Sequence, residues 1–290
     1  MNEVVWVEAS FPSRLRAEWS LAATAKKDDT VLCFHGLPPL MPSTAKVVLF
    51  QQNRNYLGQV DLKRFALRTR LRLWGEQFVS KAFRQRVDTY WVQTPSMARA
   101  LSTWYGNGPV DIKVLPFAVP FQQAAAASEK SFDFVYVADG EAHKNHRTLV
   151  QAWILLKKRG LTPGLALTLS QRDIELKRWV ADQVAEYGLR IEDVGVVPHA
   201  EVPLLYQRAG ALIFPSLSES FGLPLIEAST LGLPILAGEL DFVRDVCMPA
   251  ETFDPLSSVS IERAVLRHMG KADIPQLPAS AENFLRKVMA

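Results

Sequence analysis

The sequence predicts an α/β fold of two domains, each an open, doubly wound sheet of parallel strands. Three observations carry this. At 290 residues the chain exceeds the usual size of one domain. With 48% hydrophobic and 22% charged residues, it has enough apolar material for real cores and is not a disordered chain. From residue 132 onward, short apolar runs alternate with amphipathic stretches of helical length, the pattern of parallel βαβ units.

In the first half, TVLCF (30–34) and KVVLF (46–50) read as parallel strands, residues 61–86 as helical, and TYWVQT (89–94) and IKVLPF (112–117) as two further strands. QQAAAASEKS (122–131) is poor in large apolar residues and is the expected linker. The second half opens with FDFVYVA (132–138) as a buried strand and NHRTLVQAWILLKKRG (145–160) as a helix stopped by Gly160. ALTLS (166–170), VGVVP (194–198), ALIFPS (211–216) and PILAG (234–238) are the next strands. The intervening helices are 172–187, 201–210 and 223–232, with another at 257–269. The domains are therefore expected at 1–121 and 132–275, with a final helix within 276–290 crossing back to the first domain.

The formal net charge of +3 is unevenly spread. Residues 1–130 hold 17 Lys and Arg against 10 Asp and Glu, while residues 131–290 hold 16 against 20. The stretch Arg54–Arg86 contains nine basic residues and only Asp61 and Glu76 as acids, which points to an anionic partner: a membrane surface or a phosphorylated substrate. On a helical projection, Leu67, Leu71, Trp74 and Phe78 form one apolar stripe, and Leu62, Phe65, Leu73, Val79 and Phe83 another roughly opposite. The two stripes predict a helix packed on the domain by one side, with the other either a plain solvated face or free to meet a membrane carrying a lipid-linked acceptor. No nucleic-acid motif accompanies the charge.

Cys33 and Cys247 are the two cysteines, each in an apolar stretch, so core thiols are expected and neither a disulfide framework nor a metal cluster. The start MNEVVWVEAS lacks a secretory pattern, and no segment reaches the roughly 18 apolar residues of a membrane span. The expectation is a cytoplasmic protein, touching a membrane peripherally if at all.

The dinucleotide glycine fingerprint, the P-loop, HExxH, CxxC and the GxSxG elbow are all missing from the sequence. What remains is ESFGLPLIEA (219–228), placed directly after the strand ALIFPS. Gly222 lets the backbone approach a ligand, and Pro224 suits the first turn of a helix. The amides from Phe221 to Leu223 then form an anion site, and Glu227, one turn into the helix, points back toward the same crevice to accept from sugar hydroxyls. A second anion device is GEAHKNHRT (140–148), where Lys144 and Asn145 begin a helix and converge on a diphosphate.

FPSLSESFGLPLIEASTLGLPILAGELDFVRDV (214–246) resembles the E-x7-E region of the retaining glycosyltransferases of family 4. VYVADGEAHKNHRTLVQAW (135–153) resembles that family's Lys-Asn segment, and VGVVPHAEVPLLYQRAGALIFPS (194–216) its nucleotide-side segment. The resemblance spans residues 131–270. It is weaker in FHGLPPL (34–40) and VVLFQQN (47–53), which are similar to parts of bacterial surface-polysaccharide transferases. It implies the GT-B fold of two facing Rossmann-like domains, here with the first shortened.

Carried over residue by residue, the resemblance makes Glu227 the partner of the donor ribose and sets Glu219 beside the donor sugar. Ser220, Phe221, Gly222 and Leu223 offer amides, Lys144 neutralises the leaving diphosphate, and Asn145, His143 and Val197 fall on the donor side. His35, Gly36, Gln51 and Asn53 fall on the acceptor side; for His35, Gln51 and Asn53, packing roles stay open. Asp139 stands where many members carry Arg, His143 where others do, and Gln51 where many carry His. The implied function is transfer of a sugar from a UDP-, GDP- or dTDP-sugar to a glycan or lipid-linked acceptor in surface-polysaccharide assembly, with no cofactor and no metal. A catalytically degenerate partner subunit and a sugar-nucleotide epimerase of similar fold are the alternatives.

Overall fold

The computed structural model describes residues 5–8, 10–58, 67–106, 110–117, 129–274 and 278–290. In the first half these residues form α1 (Phe11–Thr24), β1 (Thr30–Cys33), β2 (Lys46–Phe50), a 3₁₀ turn at Arg54–Leu57, α2 (Leu67–Ala82), β3 (Thr89–Val92), α3 (Pro95–Tyr105) and β4 (Asp111–Val114). The four strands make one parallel sheet in the order β1-β2-β3-β4. All four lie where the apolar runs place them. The helix expected over 61–86 is seen from Leu67 to Ala82, and residues 59–66 lie outside the described ones. Helices α1 and α3 were not expected, although both carry start signals: Ser10 and Thr94 accept from Ser13 N and Met97 N, with a proline in the first turn of each. Val47, Leu49, Tyr90, Val92, Met97 and Leu101 form the core of this half.

The second half contains β5 (Phe132–Tyr136), α4 (His146–Lys158), β6 (Leu165–Leu167), α5 (Ile174–Tyr187), β7 (Ile191–Asp193), α6 (Val202–Gln207), β8 (Ala209–Phe214), α7 (Leu223–Thr230), β9 (Ile235–Gly238), α8 (Asp241–Arg244), β10 (Glu251–Phe253), α9 (Ser258–His268) and α10 (Ala281–Met289). Its six parallel strands run in the order β10-β9-β8-β5-β6-β7. The chain fills the sheet outward from β5 on one side and then returns to add β8 on the other. The topological switch point, where open α/β sheets bind ligands, is therefore at the carboxyl ends of β5 and β8. Leu149, Val150, Trp153 and Leu156 recur at helical spacing on α4 and are fully or almost fully buried, and Trp153 Nε1 donates to Pro163 O at 2.8 Å.

Three expectations need correction. The strand expected at 194–198 is instead Ile191–Asp193: Asp193 Oδ1 accepts from Leu169 N and Gly195 N, each at 3.0 Å, and Gly195 at φ +76° turns the chain out of the sheet. Val194 and Val197 still pack against the core, which is why the stretch reads as apolar. The edge strand β10 and the short α8 were not expected. The final helix α10 forms and, among the described residues, buries none of its side chains. The expected linker 122–131 lies outside the described residues as far as 128.

The two halves meet through α3 and α8. Asp245 Oδ2 accepts from Ser96 N at 2.7 Å, so a carboxylate of the second half caps a helix of the first, and Arg99 pairs with Asp241 at 2.9 Å. Asp245→Ala should cost about 1 kcal/mol, the usual worth of such a cap, while Asp245→Asn keeps most of it. Thermal unfolding of both variants measures the difference.

Candidate active site

The loops after β5 and β8 are knitted together at the switch point. Tyr136, at the end of β5, donates its hydroxyl to Lys144 O at 2.8 Å and lies 2.8 Å from Ser216 Oγ. Leu217 N donates to His143 O at 2.8 Å. Asn145 adopts the left-handed conformation at φ +62°, so that α4 starts sharply at His146. Across this seam Lys144 Nζ and Glu219 Oε1 form a 2.7 Å ion pair between two largely buried side chains. Gly222, at φ +76°, caps α7, and Phe221 is buried beneath the turn.

A pocket of about 250 Å³ opens over this pair, lined by both halves of the chain. Lys144, Glu219, Ser220, His143 and Asp139 come from the second half; Arg54 and Asn53 come from the first. Arg54 N donates to Ser220 Oγ at 3.0 Å, closing the cleft at that point. Glu141 also lines the pocket, so its cations Lys144 and Arg54 face three carboxylates. Burial, and then the charge of Lys144, lower the pKa of His143, which favours a neutral ring 3.3 Å from Glu141 Oε2. A larger groove of about 830 Å³, lined by Arg147, Arg172 and Ile174, lies beside the 140–147 segment but contains neither Lys144 nor Glu219. The paired charges of the expected site are in the smaller one.

Glu227 is buried and does not line this pocket. His199 Nε2 is 3.0 Å from its Oε1, and Tyr206 donates to its Oε2 at 3.1 Å. Burial, and then the neighbouring carboxylate, raise the Tyr206 pKa, keeping that hydroxyl a donor. The E-x7-E spacing thus separates the glutamates: Glu219 faces the cleft, and Glu227 anchors α7 to the segment 199–206. Val197 is half-buried against the core, and Leu223 is exposed at the start of α7.

Asn145 differs from its expected role. Its amide donates to Pro215 O at 3.2 Å and Pro255 O at 2.6 Å, and its Oδ1 accepts from Thr148 Oγ1 at 2.7 Å, so the side chain is spent on the scaffold and not on a diphosphate. Gln51, buried, donates to Asn53 O at 2.8 Å, and Asn53 Oδ1 accepts from Asn55 N at 3.0 Å. Together they build the turn that presents Arg54. Gly36, at φ +79°, has room for a Cβ only 3.4 Å from Gln51 Nε2, and His35 is exposed outside the pocket. The sequence does not single out Arg54, His199 or Tyr206: Arg54 lies within a basic run, and the other two lie in the segment 194–216, whose resemblance to the family's nucleotide side marks Val197 alone.

Next to the site, His146 is buried against the Tyr136 ring with centroids 4.8 Å apart, and among the described residues neither ring nitrogen has a hydrogen-bond partner. Burial depresses its pKa from 6.5 to about 4, so the folded state holds it neutral where the unfolded chain protonates. Its stabilising contribution is complete above pH 6.5 and is lost as pH falls toward 4. The loss reaches about 3 kcal/mol. His146→Leu should flatten that acid limb in denaturant unfolding measured across the range.

Residues 120–269 match the family described as Glycosyl transferases group 1. The O-antigen chain mannosyltransferase B of Escherichia coli is 34% identical over 118 residues, covering 39% of this chain and 30% of that protein. A glycogen synthase of Mycobacterium tuberculosis is 26% identical over 168 residues, covering 54% of this chain and 39% of its own. The chain therefore spans well under half the length of these relatives. Among solved structures, the sucrose-phosphate synthase of Thermosynechococcus elongatus superposes with a TM-score of 0.67 at 19% identity, over 89% of this chain and 68% of that one. The Anabaena protein HepE, in complex with UDP and glucose, gives 0.63 at 13% identity, over 89% and 72%. These likenesses bear out the GT-B arrangement of two Rossmann-like halves.

Proposed function

Because the chain belongs to the group 1 glycosyltransferases, matching that family over half its length, we propose that it transfers a sugar from a nucleotide-sugar donor with retention at the anomeric carbon. The acceptor in this reading is a glycan or a lipid-linked glycan at the cytoplasmic face of a membrane, in assembly of a surface polysaccharide. The observation that carries the reading is the Lys144–Glu219 pair at the switch point, facing Arg54 across the cleft. The naming of several relatives as O-antigen mannosyltransferases supports the polysaccharide class, and the UDP and glucose held by HepE support the donor class.

Negative charge develops on the departing diphosphate and positive charge on the anomeric carbon. Groups already aimed at those positions supply the stabilisation. Lys144 and Arg54 meet the diphosphate, and the amides from Ser220 to Leu223 add fixed dipoles; no metal is assigned. Glu219 lies beside the sugar, and Glu227 serves the ribose side. The bond from the anomeric carbon to the phosphate oxygen breaks, the bond to the acceptor oxygen forms, and the acceptor's proton passes to the departing phosphate.

Asp139 and Glu141, which add two carboxylates to the pocket, favour a second reading as a nucleotide- or glycan-binding partner subunit without turnover. A screen of binding and hydrolysis with UDP-, GDP- and dTDP-sugars, on the wild type, Glu219→Ala and Lys144→Ala, separates the two. Turnover lost in both variants is the expected result; nucleotide binding without turnover under any acceptor condition selects the partner subunit.

A further inference from the structure

We propose that the outer face of α2 docks on an anionic lipid bilayer. The two apolar stripes of this helix have different fates in the structure. Leu73 is buried toward the domain with Gln77 and Ser80, whereas Leu67, Leu71, Trp74 and Phe78 stand 61–68% exposed in a single line. Trp74 and Phe78 stack with ring centroids 6.2 Å apart, giving the line a continuous aromatic crest. Large apolar side chains in such a row on a soluble surface mark a docking face.

Charge identifies the occupant. At 100° per residue, Arg70 and Lys81 fall on one side of the crest and Arg68 and Arg72 on the other. Glu76 is the sole acid between Leu67 and Ala82, and it faces Arg72 at 3.9 Å. An apolar line between two rows of cations matches acyl chains flanked by anionic headgroups. Lys81 rests over the Trp104 ring at 4.1 Å, which holds its ammonium group near the helix.

The inner face of α2 leads to the pocket. Gln77 Nε2 donates to Asn55 O at 2.9 Å, and the neighbouring Arg54 N donates to Ser220 Oγ at 3.0 Å. A helix seated on lipid is thus joined, through the turn at Asn53–Asn55, to the wall of the pocket. With the transferase reading above, on which this consequence rests, the acceptor is lipid-linked.

The test uses the full chain and vesicles of phosphatidylcholine, with and without phosphatidylglycerol. Binding to the anionic vesicles is expected at low salt and should weaken as salt rises. Replacing both Arg68 and Arg72 by Gln should lower partitioning roughly fivefold per cation removed. The double variant Trp74→Ser, Phe78→Ser should abolish it while leaving UDP and GDP affinity at wild-type values. Bromine-labelled acyl chains should quench fluorescence of the wild type more than of Trp74→Phe, which keeps the apolar crest. The proposal falls if anionic vesicles are not bound, or if the double variant binds them as the wild type does. It also falls if sedimentation shows the crest covered by a second copy, seen as a dimer that the double variant loses. Vesicle binding without nucleotide binding would overturn the transferase reading and leave the docking face standing.

Discussion

Lys144→Ala is expected to lower the rate of sugar transfer by about 10²- to 10³-fold, the usual scale for removing one preorganised donor from a developing oxyanion. The loss has two sources. The ammonium group proposed to meet the diphosphate is gone, and Glu219, left without its 2.7 Å partner, joins Asp139 and Glu141 in a pocket whose lining, among the described residues, keeps Arg54 as its Lys or Arg side chain. Carboxylates so placed repel the donor's phosphates. Titration calorimetry should therefore show UDP and GDP affinity falling together with turnover, while affinity for the uncharged nucleosides uridine and guanosine stays near the wild-type value. An unchanged nucleoside diphosphate affinity would place the diphosphate elsewhere.

Glu227 should behave differently under two substitutions. Glu227→Ala removes the acceptor for both Tyr206 and His199 from a buried position, and a destabilisation of about 2 kcal/mol is expected. Glu227→Gln keeps an acceptor and a similar shape, so most of that stability should return. If Glu227 also serves the ribose, the Gln variant loses the charge-assisted bond to the hydroxyls and binds nucleosides about tenfold more weakly, with inorganic pyrophosphate unaffected. Thermal unfolding and nucleoside titration on the same preparations separate scaffold from ligand contact. Nucleoside affinity at the wild-type level in Glu227→Gln would confine this carboxylate to anchoring α7.

Much of the architecture was readable because the strands are short and apolar and the helices amphipathic. FDFVYVA and KVVLF fall on β5 and β2, and the Gly160 stop is where α4 ends. The VGVVP stretch misled because valines can pack on a core from a loop as well as from a strand, and the side chain that ends the ladder is Asp193. The two segments that bring Lys144 and Glu219 together in one pocket were legible through their neighbours in sequence. The meeting of Arg54 with Ser220 was not, because it joins residues 166 positions apart and no local pattern encodes it. Asn145 was read as a ligand because amides bind phosphates; its carbonyl partners come from loops distant in sequence.

That single amide has a consequence for how such proteins change over time. Asn145 binds the carbonyls of Pro215 and Pro255, so the loops following β5, β8 and β10 are stitched through one side chain. These loops are not interchangeable parts. Swapping the segment after β8 into a relative to alter its sugar preference would transplant residues without the carbonyl geometry that sets them. Exchange of donor specificity in this chain should therefore succeed when the three loops travel together and fail when one moves alone.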